Sequence, residues 1–188
     1  MTEQQQLAVE VAKDALALLA SEKIEPETGC YFSAYLGEVV DEYDDIKSTF
    51  GTFIAERDSC EVCALGAILL ATTLKKNELS YLDLRKLQHS RKAQDMLLKV
   101  LTPHQMAIIE AAFEGNYNCN RFDTAIENEE HRAVRIARKL KVGSIDSLSI
   151  EDETACHAFY KQFPSPTDRF TAIMQNIIDN DGVFTLTY

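Results

Sequence analysis

Two cysteines three residues apart, Cys60 and Cys63, form the pattern in this sequence that most suggests chemistry. A Cys-x-x-Cys pair at the start of a helix can bind a metal or act as a redox pair, because the helix dipole stabilises a thiolate. A structural zinc site needs four ligands, usually from two such pairs, and the sequence holds only one. We therefore predict no metal and no cofactor, and interpret both thiols as small buried side chains. The alternative is a zinc-binding or thiol-dependent enzyme that uses Cys60 and Cys63 with Cys119 and His157.

The histidines do not form an evident partner for a catalytic cysteine. Cys156 and His157 are adjacent in sequence, so on a helix their side chains point about 100° apart and do not face each other. The remaining histidines occupy polar positions typical of a surface, and they are His89, His104 and His131. The sequence also lacks a Gly-rich phosphate loop and a His-Glu-x-x-His motif. We therefore predict no catalytic residues.

Negative charge is concentrated in the first third of the chain. The net charge is −11, and residues 1–58 hold 13 Asp and Glu against 4 Lys and Arg. Aromatic side chains interleave with the acids there, and aromatic residues serve well as interface anchors. This pattern predicts a surface that binds a basic protein partner, with a solvated, solubilising face as the alternative. The predicted partner-binding residues are Tyr35, Asp41, Glu42, Tyr43, Asp44 and Asp45.

A basic run over residues 132–141 has the opposite charge. Arg132, Arg135 and Lys139 share one helical face, a pattern that by itself would suggest nucleic-acid binding. Glutamates at 127, 129 and 130 precede the run, which suits helix-dipole and i,i+4 pairing. Docking of the run onto the acidic first third is an equal alternative. Because the acidic chain repels phosphate backbones, we do not expect it to bind nucleic acid directly.

The segment Asp179-Asn180-Asp181-Gly182 is similar to part of a calcium-binding loop. The EF-hand pattern requires a carboxylate where Ile177 stands and a glutamate where Tyr188 stands. The segment therefore does not match, and we predict instead that Gly182 ends a helix.

Helix-start signals recur along the chain. A Ser or Thr followed three residues later by Gln or Asp has the spacing of a capping pair, and a proline at the first helical position strengthens the signal. Together with the 3.6-residue apolar period, these signals predict about eight helices. Helices are predicted over 33–46 and 91–101, and others are predicted to start at Thr2, Ser80, Thr102, Asp123, Ser149 and Ser165.

The most apolar helix is predicted to run over residues 59–76 and to form the centre of the core. Ser59 is its predicted N-cap, and Glu61 falls in the first turn, where the helix dipole favours a carboxylate. Small residues such as Gly66 stand between the large apolar ones, which lets another helix approach closely.

The whole chain, residues 1–188, is predicted to form one compact multi-helix domain whose core needs no disulfide. Gly and Pro are scarce, which disfavours a sandwich or barrel, so the predicted class is all-α, or α with a minor short β element. Residues 1–58 form its acidic third and residues 59–188 its helical core. Because five cysteines, no signal-peptide pattern and no long apolar run are present, we expect a cytoplasmic protein without membrane contact.

Three segments together resemble small uncharacterised proteins of bacteria and their phages that carry a Cys-Ala-Leu-Gly-Ala helix. The segments are residues 63–67, residues 109–115, and residues 173–178 with the Gly-Val-Phe at 182–184. Such proteins bring no established catalytic residues, so the resemblance implies a phage or prophage origin and a host-interaction role. We therefore expect a non-enzymatic, acidic protein-interaction domain, for example an inhibitor or regulator of a host protein. A self-assembling structural protein is a further alternative.

Overall fold

A computed structural model of the protein describes residues 1–28, 32–33, 60–76, 91–115 and 148–186. These residues form six helices and three short strands, so the fold is mostly helical with a minor β element, as predicted. In chain order the elements are α1 (Glu3–Ala20), β1 (Ile24–Pro26), β2 (Phe32–Ser33), β3 (Cys60–Val62), α2 (Ala64–Lys76), α3 (Arg91–Val100), α4 (Pro103–Glu114), α5 (Ile150–Gln162) and α6 (Pro166–Asp179). The helices predicted to start at Ser80 and Asp123, and nearly all of the one over 33–46, lie outside the described residues.

Four helices begin where the sequence predicts a cap. In each, the side-chain oxygen of the N-cap accepts a hydrogen bond from the backbone N–H three residues later, at 3.0–3.2 Å. The caps are Thr2, Thr102, Ser149 and Ser165. These bonds satisfy N–H groups that the first helical turn leaves without a partner.

The predicted start of the central helix at Ser59 is wrong. Cys60–Val62 is a strand, and it pairs in parallel with β1 and antiparallel with β2. Its side chains alternate in burial, with Cys60 and Val62 buried and Glu61 half-exposed, which is the two-residue period of a sheet. Helix α2 begins at Ala64, and Cys63 caps it, because the Gly66 N–H donates to Cys63 Sγ at 3.4 Å. Glu61 therefore lies on a strand and not in a first helical turn.

Helix α2 forms the centre of the core, as predicted. Its first ten residues, 64–73, are all buried. Helices α1, α3 and α4 pack against it, and nearly all buried apolar residues of the described elements form one continuous cluster. Burial on every side replaces the apolar stripe that a surface helix shows.

A buried arginine joins the ends of three helices. Arg169, near the start of α6, is 2% exposed, and its Nη1 donates to the backbone carbonyls of Phe163 and Pro164 at 2.9 and 2.8 Å. Its guanidinium lies 4.2 Å from the ring centroid of Tyr160 on α5 and 5.6 Å from that of Phe113 on α4. Hydrogen bonds and cation–π contacts compensate part of the loss of water around this charge, while the buried Nε of Arg169 has no hydrogen-bond partner among the described residues.

Candidate functional site

Two glutamates lie side by side on the short sheet. Glu25 on β1 is in register with Glu61 on β3, so their side chains project from the same face of adjacent strands. Ile24 and Val62 project to the opposite face and are buried. Neighbouring strands lie about 4.8 Å apart, so the two side chains start from adjacent positions. The sheet therefore presents two carboxylates from neighbouring strands on one face.

Two more glutamates flank β1. Glu22 and Glu27 are both exposed, and Glu22 adopts a left-handed backbone conformation with φ 57° at the turn after α1. We call Glu22, Glu25, Glu27 and Glu61 the acidic sheet cluster. One pair of glutamates on neighbouring strands and two flanking acids give this part of the protein a negative surface.

The ion pairs that the structure describes for the acidic first third do not include this cluster. Lys75 Nζ on α2 contacts Glu10 at 3.0 Å and Asp14 at 3.4 Å on α1. The hydrogen bond to Glu10 raises the pKa of Lys75; burial opposes this rise, and the charge of Asp14 adds to it. Within the described ranges, no salt bridge involves a carboxylate of the acidic sheet cluster.

The partner-binding residues predicted from the sequence are not among those the structure describes. Tyr35, Asp41, Glu42, Tyr43, Asp44 and Asp45 all fall within 34–59. Three members of the acidic sheet cluster belong to the same charged third and Glu61 follows it, but sequence analysis missed the cluster. The available signal was the two-residue alternation of apolar and acidic residues in Ile24-Glu25-Pro26 and Cys60-Glu61-Val62.

The strand separates the two cysteines of the Cys-x-x-Cys pair. Three residue steps along an extended chain place the Cα atoms of Cys60 and Cys63 about 10 Å apart. A disulfide requires less than about 7 Å. The Cys60 thiol instead donates to the Lys23 carbonyl at 3.4 Å, and both side chains are buried, as predicted. This geometry does not suit a redox pair.

The described residues do not assemble the alternative zinc site. Cys156 is fully buried and donates to the Ile108 carbonyl at 3.6 Å, whereas its neighbour His157 is exposed. The two side chains therefore point in different directions, as predicted. Among the residues the structure describes, no three His, Cys, Asp or Glu side chains are arranged to hold a metal ion. Cys119 lies outside those residues.

A buried carboxyl group on α4 was not anticipated. Glu110 is 6% exposed, and burial, with a smaller contribution from the charge of Glu114, raises its pKa to about 8. Such a group is a protonated acid at neutral pH, and strongly shifted acids occur at functional sites as well as in cores. The cavity of about 340 Å³ between α5 and α6 and that of about 380 Å³ between α1 and α2 are lined by other residues. Glu110 lines neither cavity, so neither is a place where it could act on a substrate.

Comparisons of this chain with protein-family models, with curated proteins and with solved structures found no match. In the described part of the chain, no helix is both long enough and apolar enough to cross a bilayer.

Proposed function

We propose that the protein is a non-enzymatic interaction domain that binds a basic protein partner through the acidic sheet cluster. The observation that supports this most directly is the register of β1 and β3, which sets Glu25 beside Glu61. A lysine or arginine from a partner placed between these carboxylates would be attracted by both of them. The pair therefore favours a complex with a basic side chain.

The location of the neutralising lysine supports the same proposal. Lys75 pairs with Glu10 and Asp14 on α1 and not with a carboxylate of the acidic sheet cluster. Concentrated charge speeds encounter with an oppositely charged partner and disfavours acidic ones. A phage-derived inhibitor or regulator of a host protein is the form of this function that the resemblance of residues 63–67 favours.

A capture experiment with charge-reversed variants tests the proposal. The immobilised wild-type protein and the variant Glu25→Lys/Glu61→Lys would be exposed to lysate of the source cells, and captured proteins would be identified by mass spectrometry. We expect the wild type to capture a basic protein that the variant loses. The variant Asp95→Lys/Glu151→Lys reverses two exposed acids on α3 and α5 and has the same net charge, so it should retain the partner. Equal loss in both variants would indicate a non-specific charge effect and contradict the proposal.

A further inference from the structure

Residues 183–186, which we call the strap, are held by two side-chain carboxamides. The N–H of Phe184 donates to Gln105 Oε1 at 2.6 Å, and its carbonyl accepts from Gln105 Nε2 at 3.1 Å. The N–H of Thr185 donates to Asn176 Oδ1 at 2.8 Å, and its carbonyl accepts from Asn176 Nδ2 at 2.8 Å. Each carboxamide thus binds both backbone groups of one strap residue.

This arrangement is that of an extended peptide bound by a receptor. The backbone groups of successive residues in an extended chain point to opposite edges, so Gln105 on α4 and Asn176 on α6 hold the two edges of the strap. They take the places that neighbouring strands occupy when a protein binds a peptide by β-strand addition. These hydrogen bonds are made to the backbone of the strap and do not depend on its side chains.

An aromatic anchor adds selectivity to the backbone contacts. Phe184 is 1% exposed and packs edge-to-face on Phe159 of α5, with ring centroids 5.6 Å apart and planes at 89°. A fully desolvated aromatic side chain is the usual energetic centre of an interface. The receptor therefore selects an extended segment that carries an aromatic residue.

A two-residue hinge connects the strap to α6. Asp181 and Gly182 both have positive φ, 54° and 86°, and Gly182 packs against the backbone of Gln5. Asp181 is not a glycine, but aspartate is one of the few other residues that adopt the left-handed conformation. The carboxamide bonds and the Phe184 contact are made to α4, α5 and α6, and they would be unchanged if the strap came from another molecule.

We propose that this receptor also binds the strap of a second copy of the chain, so that two molecules exchange their C-terminal segments. Exchange preserves the contacts of Phe184 and Thr185, and it breaks two bonds in which the N–H groups of Gly182 and Val183 donate to the carbonyls of Ile177 and Asn180 at 2.8 and 3.1 Å. Domain swapping is a low-cost route to a dimer. The inference is independent of the acidic sheet cluster and gives a physical basis for the alternative of a self-assembling protein.

The variant Asp181→Pro tests the exchange, because proline cannot adopt positive φ and blocks the closed hinge. We expect light scattering to give twice the 21.2 kDa mass of one chain, with the helical circular dichroism retained. The control Asp181→Gly accommodates positive φ and should remain, like the wild type, at the mass of one chain at micromolar concentration. Adding Gln105→Ala and Asn176→Ala to Asp181→Pro should restore the single-chain mass. A folded Asp181→Pro protein of single-chain mass, or a dimer that survives both receptor substitutions, would overturn the proposal.

A second experiment uses the wild-type sequence and decides the question if Asp181→Pro does not fold. Two wild-type samples with different affinity tags would be mixed at high concentration, warmed to just below the unfolding midpoint and cooled. We expect mixed pairs that co-purify on both tags, and fewer in a Gln105→Ala/Asn176→Ala protein. Absence of mixed pairs from the wild type would overturn the proposal.

Discussion

Replacement of Glu110 by glutamine is expected to stabilise the protein at neutral pH. The Glu110 side chain lies on α4, which packs against α2, α5 and α6, and burial raises its pKa from 4.5 to about 8. At pH 7 the carboxyl group is protonated in the folded protein and ionised in the unfolded chain. Glutamine has nearly the same shape and carries no charge in either state, so Glu110→Gln removes this difference.

The size of the effect follows from the linkage between protonation and folding. A carboxyl group whose pKa is raised on folding binds more protons in the native state, so the free energy of unfolding falls as pH rises above the unfolded pKa. The loss is about 1.4 kcal/mol for each pH unit and stops near pH 8, where the native group also ionises. Between pH 5.5 and 7.5 the wild type should therefore lose about 3 kcal/mol relative to Glu110→Gln.

Urea unfolding at a series of pH values measures this difference. The free energy of unfolding would be compared between wild type and Glu110→Gln at each pH, with Asp95→Asn, an exposed carboxylate on α3, as the matched control. Contributions of titrating groups that do not interact with Glu110 cancel in the comparison, whereas the charge of the neighbouring Glu114 does interact with it. A difference between wild type and Glu110→Gln that stays constant over this range, or that matches the control, would refute the reasoning.

Three further substitutions test local contacts by denaturant unfolding. Gly115→Ala should lower the free energy of unfolding by at least about 1 kcal/mol, because φ at this position is 72° and the new Cβ would meet the ring of Tyr160. An unchanged midpoint of unfolding would contradict this. Arg169→Met keeps much of the buried volume but leaves two backbone carbonyls without a donor, so the free energy of unfolding should fall by about 1–3 kcal/mol. Stability equal to or above that of the wild type would show that these bonds contribute nothing. Ser165→Ala removes the cap of α6 and should cost about 1 kcal/mol, whereas Ser165→Thr should cost less.

The helix starts could be predicted from sequence because their causes are local. A capping side chain and its N–H partner are three residues apart, so Thr102 and Ser149 are recognisable without tertiary information. The αL conformation of Gly115, which ends α4, has an equally local cause. These features lie entirely within one turn of the helix they begin or end.

The strand β3 could not be predicted in the same way, because its cause is distant. Cys60 pairs with Ile24, 36 residues earlier. This pairing overrides the helical apolar pattern of α2, which extends backward along the chain into residues 60–62. Three residues give too short an alternation to be distinguished from the start of an apolar helix. The misplaced Glu61, and with it the acidic sheet cluster, followed from this single error.

Burial of Glu110 depends equally on tertiary contacts. In the sequence it stands between Ile109 and Ala111, where a glutamate usually marks the solvent face of a helix. Helix α4 instead has eight consecutive buried residues, 106–113, because several elements surround it. The number of helices that pack against α4 is not encoded in its own periodicity.

One measurement tests the proposed role of the acidic sheet cluster most directly. Isothermal titration calorimetry gives the affinity of the captured partner for the protein at low and at high salt. Glu25→Gln/Glu61→Gln removes both carboxylates and keeps their shape. If each contributes about 0.5–1 kcal/mol to a contact with a basic side chain, the variant should bind about five- to thirtyfold more weakly at low salt. The deficit should shrink at high salt, where ions screen the interaction. Equal affinity of wild type and variant at low salt would contradict the account.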